Sequence, residues 1–270
     1  MFQYSIEQWV LFFYLYCLFG WCFESAYVSL RSGHFVNRGF MRGPFLPIYG
    51  SGAIMMLVVS APFESMKAPG KYALIYFAGC IGATALEYVT GVVMEALFKV
   101  RYWDYSGKRF NFRGHICLSS TLAWGALTLL VTEYLHKPFE RLVLGVPDAV
   151  LTIIAMVLTA LVSADFVLSF KAAMDLRDVL MQMERIREEV AHMQKRLDVL
   201  IALTGEELEK YRDEVSELRE KYMRHMADKA HLTEMRDAIQ RHMIRSNPSM
   251  RSVHFGEALR ELQEKLNRAK

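Results

Sequence analysis

The chain has 270 residues with 32 Lys/Arg, 29 Asp/Glu and 8 His, a formal net charge of +3, and a mean hydropathy of +0.14. Those averages hide a division: residues 171–270 carry 20 of the basic and 19 of the acidic side chains, leaving 12 and 10 for residues 1–170. The balanced charge excludes the basic footprint of a nucleic-acid binder, and four cysteines without a CxxC motif exclude a disulfide framework, so Cys17, Cys22, Cys80 and Cys117 read as small packing residues.

The N-terminal MFQYSIEQ lacks a basic n-region and the apolar run after it is too long for an h-region, so no cleaved leader is expected. Five apolar runs are long enough to cross a ~30 Å hydrocarbon core at ~1.5 Å per residue: residues 8–30, 44–63, 72–98, 115–135 and 146–170. Trp9, Tyr72, Tyr102, Trp103 and Tyr134 lie near their ends, where interfacial aromatics collect. Loops 31–43 and 99–114 hold eight Lys/Arg, against four in the alternate loops. The positive-inside rule therefore predicts an external N-terminus and a cytosolic tail.

Two glutamates interrupt these runs, Glu24 in GWCFESAY and Glu87 in GATALEYVTG. A carboxylate in hydrocarbon costs at least ~2.5–3.5 kcal/mol, so it is neutralised, paired or turned to a wet cavity. Each lies roughly 22–24 Å into its helix, in the inner-leaflet third. Each is followed by similar words: Ser32-Gly33, Phe35, Asn37-Arg38-Gly39 after the first, and Ser106-Gly107, Phe110, Asn111, Arg113-Gly114 after the second. An aromatic-Gly pair, Tyr49-Gly50 or Trp124-Gly125, then opens the returning helix. The match reads as two tandem copies of a two-helix unit, with any pseudo-symmetry axis along the membrane normal.

Thr84, Glu87, Gly91 and Glu95, with Tyr88 beside them, form a polar stripe at helical spacing, as do Gly20, Glu24, Tyr27 and Arg31. Asp165 reaches a similar depth in the fifth run. Asn37, Arg38, Arg42, Asn111 and Arg113 are donors suited to an anion, while Arg38 and Arg113 are equally suited to neutralising Glu24 and Glu87. Oxygen ligands on Glu24, Glu87, Glu95 and Asp104 suit a divalent cation, though no spacing motif demands one. His34 and His115 read as surface or interfacial residues. There is no GxxxxGK[ST], HExxH or GxSxG, so no P-loop and no intrinsic cofactor are expected.

From Lys171 the chain reads as a coiled-coil or helical tail. Met183, Ile186, Val190, Met193, Leu197 and Leu200 step by three and four, as do Leu208, Tyr211, Val215, Leu218 and Tyr222. One long helix joined by a stutter competes with a hairpin turned at Thr204-Gly205-Glu206-Glu207. Ser246-Asn247-Pro248-Ser249 ends the stretch, and a short amphipathic helix follows over roughly 255–268.

The expected fold is all-α: a transmembrane domain over 1–170, with two tandem two-helix units plus one helix, and a cytosolic coiled-coil tail over 171–270. Gly20-Trp21 with Glu24, Asn37-Arg38-Gly39-Phe40, Pro47-Ile48-Tyr49-Gly50, Glu87-Tyr88 with Gly91 and Glu95, Trp103-Asp104-Tyr105-Ser106, Asn111 and Trp124-Gly125 resemble the CmpB-like family of type IV ABC-transporter permeases of bacterial membranes, over about residues 10–140. The resemblance implies a transport component of the bacterial inner membrane whose ATPase is a separate chain. Site candidates are Glu24, Asn37, Arg38, Arg42, Tyr49, Glu87, Tyr88, Glu95, Trp103, Asp104, Tyr105, Asn111, Arg113 and Trp124. Expected partners are membrane lipids and a second copy joined through the tail. The alternatives are an enzyme or binding protein for anionic lipid headgroups, and a scaffold or sensor signalling through its tail; an enzyme is the less favoured reading.

Overall fold

A computed structural model describes residues 4–201, 211–234 and 238–268. Helix α1 (Ile6–Ser32) starts at a capping box: Gln8 N–H donates to Ser5 Oγ at 3.3 Å, and Ser5 N–H donates to Gln8 Oε1 at 2.9 Å. It stops at Gly33, whose φ of 72° is the left-handed turn that ends helices. α2 (Pro47–Ser60) begins on Pro47, where the missing N–H costs nothing, and continues through a 3-10 turn to Phe63. α3 (Lys71–Phe98) follows.

Next come a hairpin of strands β1 (Asn111–Phe112) and β2 (Ile116–Cys117), then α4 (Leu118–Leu130). The strand pairing moves the start of this helix from the expected 115 to 118. Its expected end at 135 is also displaced. A π turn over Val131–Leu135 leads directly into α5 (His136–Leu144), with His136 N–H bonded to Val131 O. Pro138 is the cause: it has no N–H for Tyr134 and its ring crowds that carbonyl, so the preceding turn shifts its hydrogen-bond register. There the Tyr4 and Tyr16 hydroxyls reach the two ring nitrogens of His136 at 3.2 and 3.1 Å.

α6 (Asp148–Ile201) runs unbroken through position 170, so the expected boundary at 170/171 falls inside one helix. α1, α3 and α6 are each long and apolar enough to cross a membrane, and residues 47–63 form a shorter apolar helix. Phe23, Phe77, Ile81, Ile153, Met156 and Leu161 point outward from the long helices. Such a surface is stable in hydrocarbon, where backbone groups are satisfied within each helix.

The pairs α1/α2 and α3/α4 repeat one packing pattern. Cys17 and Cys80 each stand seven residues before their glutamate. A Cβ built on Gly50 would lie 2.4 Å from Cys17 Sγ and 2.7 Å from Phe13 O; on Gly125 it would lie 2.5 Å from Cys80 Sγ and 2.8 Å from Tyr76. These glycines let the backbones approach, as small residues do between membrane helices. Gly50→Ala and Gly125→Ala are each expected to cost about 1–3 kcal/mol by overpacking. Thermal unfolding in detergent checks this, with Gly52→Ala, where a Cβ meets nothing within 4 Å, as the near-neutral control.

The tail is a hairpin followed by a fold-back. α7 (Arg212–Glu234) returns antiparallel along α6, held by the ion pairs Arg196–Glu214 and Glu189–His225. This decides between the two sequence readings in favour of the hairpin, although the Thr204–Glu207 turn signal and Leu208 lie outside the described residues. α8 (Ala238–Ser246) and α9 (Gly256–Arg268) then pack against the end of the membrane half. One apolar cluster joins Phe98, Val100 and Tyr102 to Leu176, Leu180 and Met183 of α6, Met243 of α8, Met250, and Leu259 and Leu262 of α9.

Candidate functional site

Glu87 is 5% exposed and is held by three neutral donors. Trp124 Nε1 donates to its Oε2 at 2.9 Å, Ser120 Oγ to the same oxygen at 3.4 Å, and Tyr105 Oη to Oε1 at 3.1 Å. Trp124 and Ser120 come from the first two turns of α4, and Tyr105 from the loop after α3. Helix geometry explains the first two: residues four apart share a face, so both α4 donors look at α3.

Glu24 stands in the corresponding place on α1. Tyr49 Oη donates to its Oε1 at 2.7 Å, and Arg38 Nε lies 3.7 Å from Oε2. In both units the aromatic residue preceding the packing glycine donates to the carboxylate. Tyr105 serves Glu87 alone: burial first, then the charge and hydrogen bond of Glu87, push its phenol above the usual range.

A second network lies next to the first. Glu95 Oε2 meets Arg101 Nε at 2.8 Å and His115 Nε2 at 3.0 Å. Asp104 meets Arg101 and Arg251, each at 3.6 Å. Burial works to raise the Asp104 carboxyl. The hydroxyl and N–H of Ser106, with Arg101 and Arg251, outweigh it and hold the group below the usual carboxylate range. His115, expected at a surface or interface, is instead 5% exposed, and its ring presses on Gly91. Trp103 Nε1 donates to the His115 carbonyl at 3.0 Å, and Tyr88 packs on the Phe112 and His115 rings.

The remaining candidates divide. Asn37 and Asn111 brace their own loops: Asn37 accepts from Trp21 Nε1 at 2.6 Å and donates to Arg42 O at 2.7 Å, while Asn111 donates to Lys108 O at 2.8 Å. Arg113 is exposed over the Phe112 ring, and among the described residues it makes no ion pair with Glu87. Arg38 neutralises Glu24; among the described residues no arginine does so for Glu87. Arg42 lines a groove of about 510 Å³ with Gly43, Phe45, Leu161, Val162, Asp165 and His242, where Gly43 N–H donates to Asp165 Oδ2 at 2.8 Å. Among the described residues, no group of three or more His, Cys, Asp or Glu side chains is placed to hold a metal ion.

Sequence reasoning missed Ser120, Arg101, His115 and the whole C-terminal contribution. Ser120 carried a legible signal: it sits one helical turn before Trp124. Arg101 was six residues from Glu95 and was counted only as a topology charge.

Burial, then the charge of Arg42, holds the His242 imidazole below its usual range, with the Met41 backbone and Asp165 opposing more weakly. Asn37 and Ser246 also touch the ring. The folded state binds this proton less readily than the unfolded chain, whose imidazole titrates near ~6.5. The contribution of His242 is therefore complete above that value and is lost progressively as pH falls below it. Thermal unfolding between pH 7 and pH 5 is expected to show a falling midpoint, with a shallower fall in His242→Gln.

A family model described as "Putative ABC-transporter type IV" matches residues 11–170. No curated protein and no solved structure matches the chain.

Proposed function

This chain belongs to that type IV ABC-transporter family, and from that premise we propose that it is the membrane component of a transporter whose ATPase is a separate subunit. Five segments cross the bilayer: α1, residues 47–63, α3, the continuous run from α4 into α5, and residues 148–170 of α6. The N-terminus is external, the tail is cytosolic, and the membrane is the bacterial inner membrane. Two copies complete the transporter, with the tail hairpin as their contact.

The observation that carries this reading is the pair of glutamates, one per two-helix unit, each held by the aromatic residue of the following helix. Charged groups kept inside a membrane bundle mark substrate or ion pathways. Transport by two related halves also explains why the pattern occurs twice. The test is tagged purification of the chain from its native membranes. A co-purifying protein bearing GxxxxGK[ST], with ATP turnover in lipid nanodiscs, is the expected result. Recovery of the intact chain without any nucleotide-binding partner, after cross-linking as well, counts against it.

The groove at Arg42 favours a second reading, a binding protein for anionic lipid headgroups. Leu161, Val162 and Phe45 supply an apolar wall at the level where the exposed Arg42 supplies a cation. Native mass spectrometry from nanodiscs would show phosphatidylglycerol retained over phosphatidylcholine, and Arg42→Gln would erase the preference.

A further inference from the structure

Residues 246–252 lead from the end of α8 toward α9, and their polar groups are spent on the two loops that follow Glu24 and Glu87. On the first loop, Arg38 donates to Ser246 O at 3.2 Å, Asn247 Oδ1 at 3.0 Å and Ser249 Oγ at 3.3 Å. Asn247 Nδ2 returns to Gly39 O at 2.8 Å, and to Met243 O on its own side at 2.9 Å. On the second loop, Arg101 and Arg251 exchange backbone bonds at 2.6 and 2.9 Å. Ser249 Oγ donates to Tyr102 O at 3.2 Å, Ser252 Oγ to Lys99 O at 2.6 Å, and Arg251 meets Asp104. Asn247 is 2% exposed, although it lies in a turn.

We propose that residues 246–252 are a strap that clasps the cytosolic loops of the two glutamate units to each other, and that releasing the strap frees both loops together. Arg38 serves Glu24 with its Nε and the strap with its two terminal nitrogens, so one guanidinium holds both. Arg101 likewise serves Glu95 with its side chain and the strap with its backbone. The strap's donors and acceptors are polar groups that water can satisfy on release, so undocking leaves no orphaned partner in hydrocarbon. The apolar cluster beneath it joins Met250 of the strap and Phe98, Val100 and Tyr102 to α6, α8 and α9, so the tail keeps its core when the strap's polar bonds let go. Local opening of such a unit is cheaper than global unfolding.

The test is hydrogen exchange on the full chain in nanodiscs. Asn247→Ala removes the bonds to Gly39 and Met243 and one acceptor of Arg38. It is expected to speed exchange at least tenfold in both loops, around residues 38–46 and 100–105, while the interiors of α1 and α3 keep wild-type protection. Ser249→Ala, which removes an Arg38 acceptor and the bond to Tyr102, is expected to do the same more weakly, and decides the matter if Asn247→Ala unfolds the chain. Added to Arg38→Gln, it should change the first loop no further. Faster exchange confined to residues 246–252, or to one loop alone, would overturn the proposal.

Discussion

Glu87→Leu is expected to destabilise the chain by about 2–5 kcal/mol, because it strips the acceptor from Trp124 Nε1 and Tyr105 Oη at once, whereas Ser120 Oγ keeps its shorter bond to the Cys117 carbonyl. Leucine fills the volume, so cavity cost is small and the loss measures the orphaned donors. Glu87→Gln separates hydrogen bonding from charge. Its amide oxygen still accepts from Trp124, and its N–H₂ requires only that the Tyr105 hydroxyl rotate to accept, so a loss of about 1 kcal/mol is expected. Thermal unfolding in detergent should therefore order the variants as wild type, Gln, then Leu, with a wide gap before the last. A Leu variant as stable as wild type would mean that Trp124 and Tyr105 find other partners and that Glu87 is not what organises the α3/α4 contact.

Leu262→Ala is the second large effect. Leu262 is fully buried in the cluster that α9 shares with α6, α8 and the segment after α3. A buried leucine truncated to alanine costs about 2–5 kcal/mol through lost transfer energy and a residual cavity. The informative part is where the loss registers. Since Phe98, Val100 and Tyr102 sit in the same cluster, the variant should also loosen residues 98–102, read as faster hydrogen exchange there. A free-standing tail would unfold by itself and leave residues 98–102 as protected as before.

The legible parts of this fold were those whose cost is set by the membrane. Glu24 and Glu87 were conspicuous because a carboxylate in hydrocarbon demands a partner, and the aromatic-Gly pairs because they recur at matched places after it. The partners came out unevenly. Tyr49 and Trp124 are the donors, whereas of the two arginines suited to neutralising the glutamates only Arg38 meets one. Arg113 likewise precedes a glycine in its asparagine-bearing loop, yet the hairpin turn at residues 113–114 carries it outward, with Arg113 itself at a φ of 52°. Two-residue strands give no periodicity from which to foresee that.

The tail shows a different limit. Steps of three and four along Met183 to Leu200 reveal that a helix has an apolar face, but not whether another copy, a returning helix or the membrane half covers it. Leu176, Leu180 and Met183 are covered by segments more than sixty residues away. Ser246-Asn247-Pro248-Ser249 was readable as a helix stop from its turn chemistry. Its bonds to Gly39 and Tyr102, about 208 and 147 positions distant, follow only from three-dimensional packing.

Glu24 and Glu87, one in each two-helix unit, are proposed to work as one centre. The most direct measurement is ATP turnover by the chain with its co-purified ATPase in nanodiscs, for Glu24→Gln, Glu87→Gln and the double variant. Residues acting as a unit give non-additive losses. Each single substitution should lower turnover at least tenfold, with the double variant no lower than the worse of the two. Losses that multiply, or wild-type turnover in all three, would contradict a shared centre.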